Sequence, residues 1–388
     1  MRIGFDGKRA VQNFTGLGNY SRYVADILCH FYPENDYVLY APKKRENKRM
    51  NLLTGQYRQL TLAYPATSFW KKLSSLWRVW GITSQLEKEG IELFHGLSNE
   101  LPLNIHKSRI KSIVTIHDLI FLRYPQYYQS IDRKIYTYKF RKACENADKI
   151  IAISECTKRD ITRYFNIPDD KIEVVYQGCD VSFTHPVTEE KKEEVRKKYQ
   201  LPDHYILNVG SIEERKNILA AVQALPMLPQ HIHIVIVGRR TGYTKKVEQF
   251  IKDNGLGERV HIISNVPFND LPAFYQSAEI FVYPSRFEGF GIPIIEALYS
   301  GIPVVAATGS CLEEAGGPDS IYVNPDDITG LADAFKQIYS NSDKRKNMVE
   351  KGREFAKRFS EKQQSEEIIN IYKNCLLYTS PSPRDTER

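Results

Sequence analysis

Phe281-Val282-Tyr283-Pro284-Ser285, then Glu288-Gly289-Phe290-Gly291-Ile292-Pro293-Ile294-Ile295-Glu296, then Ser300-Gly301-Ile302-Pro303-Val304-Val305 read as strand, glycine turn, short helix and returning strand. The first run is rich in β-formers and is closed by a proline. Glu288-Gly289-Phe290-Gly291 is a flexible turn whose bare backbone N–H groups can approach an anion. Pro293 suits the first turn of a helix, Glu296 sits within that helix, and Ile302 to Ala306 returns as a buried parallel strand. Glycine turns at helix N-termini bind phosphates and charged oxygens, and two carboxylates beside such a turn suit polyol hydroxyls. The stretch points to a nucleotide-sugar site on an α/β framework.

Outward from this stretch, strands and helices alternate, the pattern of doubly wound parallel sheets. In the first half, strands are expected at 2–5, 37–40, 93–95, 112–116, 149–153 and 172–176, with helices at 18–31, 73–88, 130–146 and 157–164. A charged run, 188–199, reads as a polar helix before a fresh α/β series with strands at 205–210, 233–237, 260–263, 280–283 and 302–306. A chain of 388 residues is long enough for two or three domains. The divisions expected are 1–185 (acceptor side), 186–364 (nucleotide-sugar side), a helix at 365–374 packing back on the first domain, and a tail at 375–388. That tail, Cys375 to Arg388, has neither periodicity nor turn logic and resembles a translated sequencing adapter, so it is set aside as non-native. Each strand ends in a polar or glycine-bearing loop, where open α/β sheets place ligands. Two such domains facing each other would enclose a cleft.

Composition narrows the class. Hydrophobic content of 42% and charged content of 26% are those of a globular protein. No apolar run reaches the length that spans a bilayer, and the start reads as a buried strand. Six cysteines lie scattered without metal spacing, as expected for reduced thiols in a cytosolic chain. The net charge of +7 is uneven: Lys43, Lys44, Arg45, Lys48, Arg49 and Arg58 cluster early, followed by Lys71, Lys72 and Arg78. Such a field suits an anionic membrane surface or a phosphate-bearing partner, or simply a solvated loop. Phe69/Leu73/Leu76/Trp80 and Trp70/Trp77 fall at helical spacing with basic residues between them, which fits a membrane interface or a core helix.

Three further places carry chemistry. Asn13 to Ser21, with Gly16 and Gly18, follows the first strand and opens a helix; Ser21 stands where a dinucleotide fingerprint has its third glycine. Gly210-Ser211-Ile212-Glu213-Glu214-Arg215-Lys216-Asn217 forms a second strand–loop–helix turn, where Arg215, Lys216 and the helix dipole together suit a diphosphate leaving group. His117 ends a strand with Asp118 behind it, placed to bond a sugar hydroxyl; His95 is a similar, weaker candidate. The chain has no HExxH, no His/Cys cluster and no Asp-x-Asp pair, so no metal site is expected.

Together these positions resemble the retaining glycosyltransferases of family 4, with the GT-B architecture of two facing Rossmann-like domains. The resemblance covers nearly all of the chain up to Tyr372. It rests on Glu288 to Glu296, Pro284-Ser285, Gly301 to Val305, Val209-Gly210 through Asn217, and Thr115-Ile116-His117-Asp118-Leu119. It implies a nucleotide-diphosphate sugar held mostly by the second domain. Glu288 would contact the hexose, with Phe290 and Gly291 assisting through backbone N–H groups, and Glu296 would hold the ribose. Arg215 and Lys216 would take the diphosphate beside Gly210, and the base would lie near Val266. Gly16 and His117 would come from the acceptor domain. Ser211 departs from the pattern, since many relatives carry a basic residue there; the Arg215-Lys216-Asn217 triplet stands in for it.

The function expected is a metal-independent hexosyl transfer to a glycan or lipid-linked acceptor in surface polysaccharide synthesis, with no bound cofactor. Mannose from a guanosine donor is preferred. A uridine-diphosphate hexose transferase, a nucleotide-sugar 2-epimerase, a nicotinamide-dependent oxidoreductase and a catalytically silent nucleotide-binding protein are the alternatives. A cytoplasmic location is expected, with peripheral membrane contact through Phe69–Trp80 and no nucleic acid partner.

Overall fold

Two parallel sheets organise residues 1–377, which the computed structural model of the protein describes. Chain contacts divide the molecule into a first unit, Met1–Tyr176 together with the chain from Glu361, and a second unit, Gln177–Ser360. The sequence reading placed these divisions at 185/186 and 364/365.

The first unit carries β1 (Arg2–Asp6), β2 (Asp36–Tyr40), β3 (Leu60–Ala63), β4 (Leu93–Gly96), β5 (Lys111–Ile116), β6 (Lys149–Ala152) and β7 (Ile172–Val174). Their order is β3-β2-β1-β4-β5-β6-β7, all parallel. The inner strands are near-continuous apolar runs, as expected of parallel strands covered on both faces. β3 was missed in the sequence because it is an edge strand with a half-exposed face, so Leu60-Thr61-Leu62-Ala63 shows no such run.

The second unit carries β8 (Tyr205–Val209), β9 (His233–Val237), β10 (Val260–Ile263), β11 (Ile280–Tyr283), β12 (Val304–Ala307) and β13 (Ile321–Val323). Their order is β10-β9-β8-β11-β12-β13, again parallel. β13, the other strand not anticipated, is likewise a short and partly exposed edge. In each unit the order reverses at one point, between β1 and β4 and between β8 and β11. Ligands of open α/β sheets bind at the strands' carboxyl ends beside such reversals.

The helices that position the site are α1 (Gly16–Phe31), α2 (Ser130–Asn146), α3 (Ile292–Ser300) and α4 (Glu361–Leu377). α4 packs on α1 and inserts Ile368, Ile369, Tyr372 and Cys375 into the first unit's core. Helix and burial therefore continue past Asn374, where the sequence reading ended the native chain; 378–388, the rest of that tail, lie outside the described residues.

The 73–88 helix is corrected too. It is broken into Ser68–Lys72, Ser74–Leu76, a π-helical turn at Trp77–Gly81, and Ile82–Lys88. The first break sits at Leu73, whose φ of −105° and ψ of 41° are not helical. Arg78, counted among the surface cations, is turned inward by the π turn. It makes a short ion pair with Asp6 and a second, at 2.7 Å, with Glu100. Carboxylate demand at the ends of β1 and β4, invisible in local charge density, accounts for the difference.

Candidate active site

The ends of β8 and β11 bring together side chains separated by some seventy positions in the sequence. Gly210 leaves β8 with a φ of +151°, and a Cβ there would stand 3.1 Å from Lys216 Nζ. Glu214–Lys216 form a single 3-10 turn, and left-handed Asn217 (φ 54°) starts the following helix. Asn217 ties the turn down by donating from Nδ2 to the Pro325 carbonyl at 2.8 Å. The partner loop after β11 is joined to it by Arg286 N–H donating to the Arg215 carbonyl at 2.9 Å.

Between these loops lies Glu288. Arg215 Nη1 is 2.8 Å from its Oε2, and Lys216 Nζ is 3.5 Å from Oε1. Ser285 donates to Oε1 at 2.9 Å, and the Tyr283 hydroxyl does so at 3.1 Å. Lys216 Nζ also donates to the Tyr283 hydroxyl at 3.1 Å, and Arg215 makes a short bond to the Phe287 carbonyl. Burial alone would raise the Glu288 pKa, but Lys216 and Arg215 outweigh it and hold the carboxyl at about 2. The same pairing overcomes burial to raise both cations. The cluster is ionised at neutral pH: Arg215 and Lys216 both face Glu288, and Glu213 lies 3.8 Å from Arg215 on its outer side.

Glu296, on α3, sits apart from this cluster. It accepts from the Tyr275 hydroxyl at 2.6 Å. Burial pushes its pKa up to about 7, with Asp180 adding to the shift and the Tyr275 bond opposing it. The start of α3 is held by Cys311, whose thiol donates to the carbonyls of Glu288 (3.0 Å) and Phe290 (2.9 Å). Phe290 is buried against Phe359, and Gly291 caps the helix with a φ of +125°. Val266 lies in the separate loop after β10, next to left-handed Asn265. Of the residues predicted in this unit, the structure joins Arg215, Lys216, Glu288 and Gly210 directly; Glu296 on α3 and Val266 in the loop after β10 stand apart from them.

In the first unit, His117 ends β5 and is buried. Its Nε2 lies 2.9 Å from the Leu97 carbonyl, and its backbone N–H donates to Asn99 Oδ1 at 2.7 Å. Burial pulls its pKa down to about 4, against the Leu97 bond. The ring is therefore neutral, and because a carbonyl can only accept, Nε2 carries the proton. The Tyr20 ring packs edge-on to it at 4.6 Å. His95 is an internal strut: its nitrogens meet the Tyr372 hydroxyl at 2.6 Å and Thr115 Oγ1 at 2.8 Å. Gly16 is exposed with open space around it, whereas a Cβ on Gly18 would fall 2.0 Å from the Asn13 carbonyl oxygen. The tight turn belongs to Gly18.

Sequence reasoning missed Tyr283, Tyr275 and Cys311 as site residues, and the buried Asp6–Arg78–Glu100 cluster at the β1/β4 reversal. Tyr283 carried one signal, as the last residue of a strand whose loop was already singled out. The others had none, since each acts through a contact distant in sequence. A groove of about 790 Å³ lies at the opposite, amino-end edge of the first sheet, between Lys149, Lys171 and α4, away from every predicted residue. Among the described residues no group of three His, Cys, Asp or Glu side chains is placed to hold a metal, and no helix is long and apolar enough to cross a membrane.

Comparison with known proteins accords with this geometry. Residues 21–183 match the family described as Glycosyltransferase Family 4, and residues 189–355 match Glycosyl transferases group 1. The chain is 30% identical over 287 residues to O-antigen chain mannosyltransferase B of Escherichia coli, covering 72% of this chain and 74% of that protein. It is 29% identical over 225 residues to O-antigen chain mannosyltransferase RfbU of Salmonella typhimurium, covering 58% and 60%. Among solved structures, a glycosyltransferase from Rickettsia africae superposes with a TM-score of 0.77 at 20% identity, covering 97% of this chain and 99% of that one. Anabaena HepE, solved with UDP and glucose, superposes at 0.75 and 17% identity, covering 96% and 100%. These two share the fold. Strand order, the charged cluster at the sheet reversal and the matched relatives agree that this chain is a glycosyltransferase, a member of family 4 with the GT-B fold.

Proposed function

We propose that the protein transfers mannose, with retention, from a guanosine-diphosphate donor to a glycan carried on a lipid, in surface polysaccharide synthesis. The observation that carries the reading is the Arg215–Lys216–Glu288 cluster at the β8/β11 reversal, where two cations share one carboxylate beside a side-chain-free Gly210. The mannosyltransferase relatives support the choice of sugar.

In this reading the donor diphosphate, lying along Gly210, draws Arg215 and Lys216 to itself, while the N–H groups of Phe290 and Gly291 face the hexose. Glu288 then accepts hydrogen bonds from hexose hydroxyls, Glu296 accepts from the ribose, and the Val266 backbone meets the base. His117 and Gly16 belong to the acceptor side in the first unit. As the bond from the sugar's anomeric carbon to the diphosphate breaks, the acceptor oxygen bonds to that carbon on the same face and its proton passes to the leaving diphosphate. Stabilising the departing charge is the main catalytic task, and it falls to Arg215 and Lys216 without a metal ion or bound cofactor. The protein works at the cytoplasmic membrane face, touching it through Phe69–Trp80.

Lys216→Ala should lower turnover of GDP-mannose by about a hundredfold or more, the scale of losing one charge-stabilising contact. Near-normal turnover would remove Lys216 from the reaction. A thermal-shift panel of nucleoside diphosphates tests the donor, because a ligand of the native state raises apparent stability. Selective stabilisation by GDP is expected. Stabilisation by UDP alone would replace the donor with a uridine-linked hexose, and a shift from neither would overturn the donor site.

A further inference from the structure

The break at Leu73 and the π turn sort the aromatic stretch into two faces. Trp77 is fully buried and Trp70 half-buried, while Phe69, Leu73, Leu76 and Trp80 stand 61%, 38%, 44% and 48% exposed. A second apolar row lies on α2, where Ile131, Ile135 and Tyr138 are 70%, 45% and 56% exposed at positions i, i+4 and i+7. The opposite face of α2 packs inward, with Phe121 meeting Tyr136 and Phe140. Scattered exposed apolar residues are ordinary, but two rows on neighbouring elements are not.

The two rows are locked together through the loop after β4. Glu100 Oε2 pairs with Arg78 from the π turn at 2.7 Å and with Lys139 from α2 at 3.5 Å. The same loop accepts from and donates to both sides: Leu103 N–H bonds the Val79 carbonyl, and the Leu103 carbonyl accepts from Asn146. Both rows are therefore carried by the carboxyl-end edge of the first sheet. Between residues 41 and 76 the only acid is Glu46, against cations that include Lys43, Lys44, Arg45, Lys71 and Lys72. Lys44 lies over the Tyr64 ring, which places this basic loop beside the start of the aromatic stretch.

We infer that α2 provides a second half of a lipid-binding face, so that Phe69/Leu73/Leu76/Trp80 and Ile131/Ile135/Tyr138 insert together into an anionic bilayer surface. This rests on the membrane contact proposed for Phe69–Trp80 and adds its partner and the lipid charge. Charge selects the occupant. A two-fold interface between copies would set the lysine-rich loops against like charge, and lysine is depleted from protein interfaces. A surface of anionic headgroups neutralises them while the acyl boundary takes the aromatic and aliphatic rows. Two contacts on one rigid unit reinforce each other, since engaging the first holds the second at the surface.

The test is co-sedimentation of the full chain with phosphatidylglycerol–phosphatidylcholine vesicles and with pure phosphatidylcholine vesicles. Binding to the anionic vesicles alone is expected. Phe69→Ser with Trp80→Ser, and separately Ile131→Ser with Ile135→Ser, should each weaken it about tenfold or more, leaving thermal unfolding unchanged. If the first pair abolishes binding and the α2 pair binds like the parent, the α2 inference is overturned and the Phe69–Trp80 contact stands. If the parent ignores anionic vesicles, both fall. If the α2 pair instead abolishes self-association seen by ultracentrifugation without changing vesicle binding, the face joins copies of the chain and the inference is overturned.

Discussion

At the scale of single residues, the two glutamates that flank the glycine turn have opposite electrostatics. Glu288 is held near 2 by its cations; Glu296 is raised to about 7 by burial. Nothing in the local sequence distinguishes them, because the difference comes from Arg215 and Lys216 on another strand's loop. The proposed ribose contact makes this measurable. A protonated Glu296 loses acceptor capacity, so GDP affinity should weaken as pH falls from 8 to 6, and Glu296→Gln should bind weakly at both. Calorimetric titration checks it, and constant parent affinity over that range would remove Glu296 from the ribose. The fold responds in the other direction: a carboxyl raised in the folded state stabilises fully below its unfolded value near 4.5, and that contribution is lost as pH rises through 7. Glu288, being lowered, stabilises above 4.5 and loses that contribution as pH falls toward 2.

At the scale of elements, long periodic segments were legible and junctions were not. Residues 130–146 form the helix expected of them, because its pattern is sustained over several turns. The 69–88 stretch kept its two faces but not its continuity, since the inward pull on Arg78 from Asp6 and Glu100 outweighs regular helix geometry. α4 shows the same dependence on tertiary partners. Tyr372 is fully buried and bonded to His95, so Tyr372→Ala should destabilise the first unit by about 3–5 kcal/mol. Tyr372→Phe, which loses only the hydrogen bond, should cost about 1 kcal/mol. Urea unfolding separates the two, and equal midpoints would mean that α4 contributes little. The β8–β9 junction is as demanding: a Cβ on Gly238 would lie 1.7 Å from the Gly210 carbonyl oxygen. Gly238→Ala should displace the Gly210 turn and abolish the GDP-induced thermal shift; a retained shift would show that the turn does not need this approach.

Across the whole molecule, sheet histidines are held toward the neutral form, buried in the first unit and half-buried in the second. His95 and His117 are pulled down to about 3 and 4, mainly by burial. His233 and His261, sharing a 3.0 Å hydrogen bond at the amino-end edge of the second sheet, are lowered as well. A histidine lowered on folding stabilises above its unfolded value near 6.5 and loses that contribution as pH falls toward the folded value. For His117, moved from 6.5 to about 4, this is roughly 3 kcal/mol. In a Glu296→Gln variant, which removes the opposing carboxyl, urea midpoints should hold above pH 7 and fall between 6.5 and 4; equal midpoints at pH 7.5 and 5 in that variant would show that these histidines charge without penalty. Sequence by itself determined the parallel α/β architecture, the loops that carry Gly210, Arg215, Lys216, His117 and Glu288, and the family. Buried parallel strands and glycine turns write those features locally, in continuous apolar runs and backbone-permissive residues. Only the tertiary structure decided which charges meet, which face of the aromatic stretch is bare, and which glutamate is ionised. Those depend on pairs far apart in the chain, and the burial that sets their energies exists only after the strands are in order.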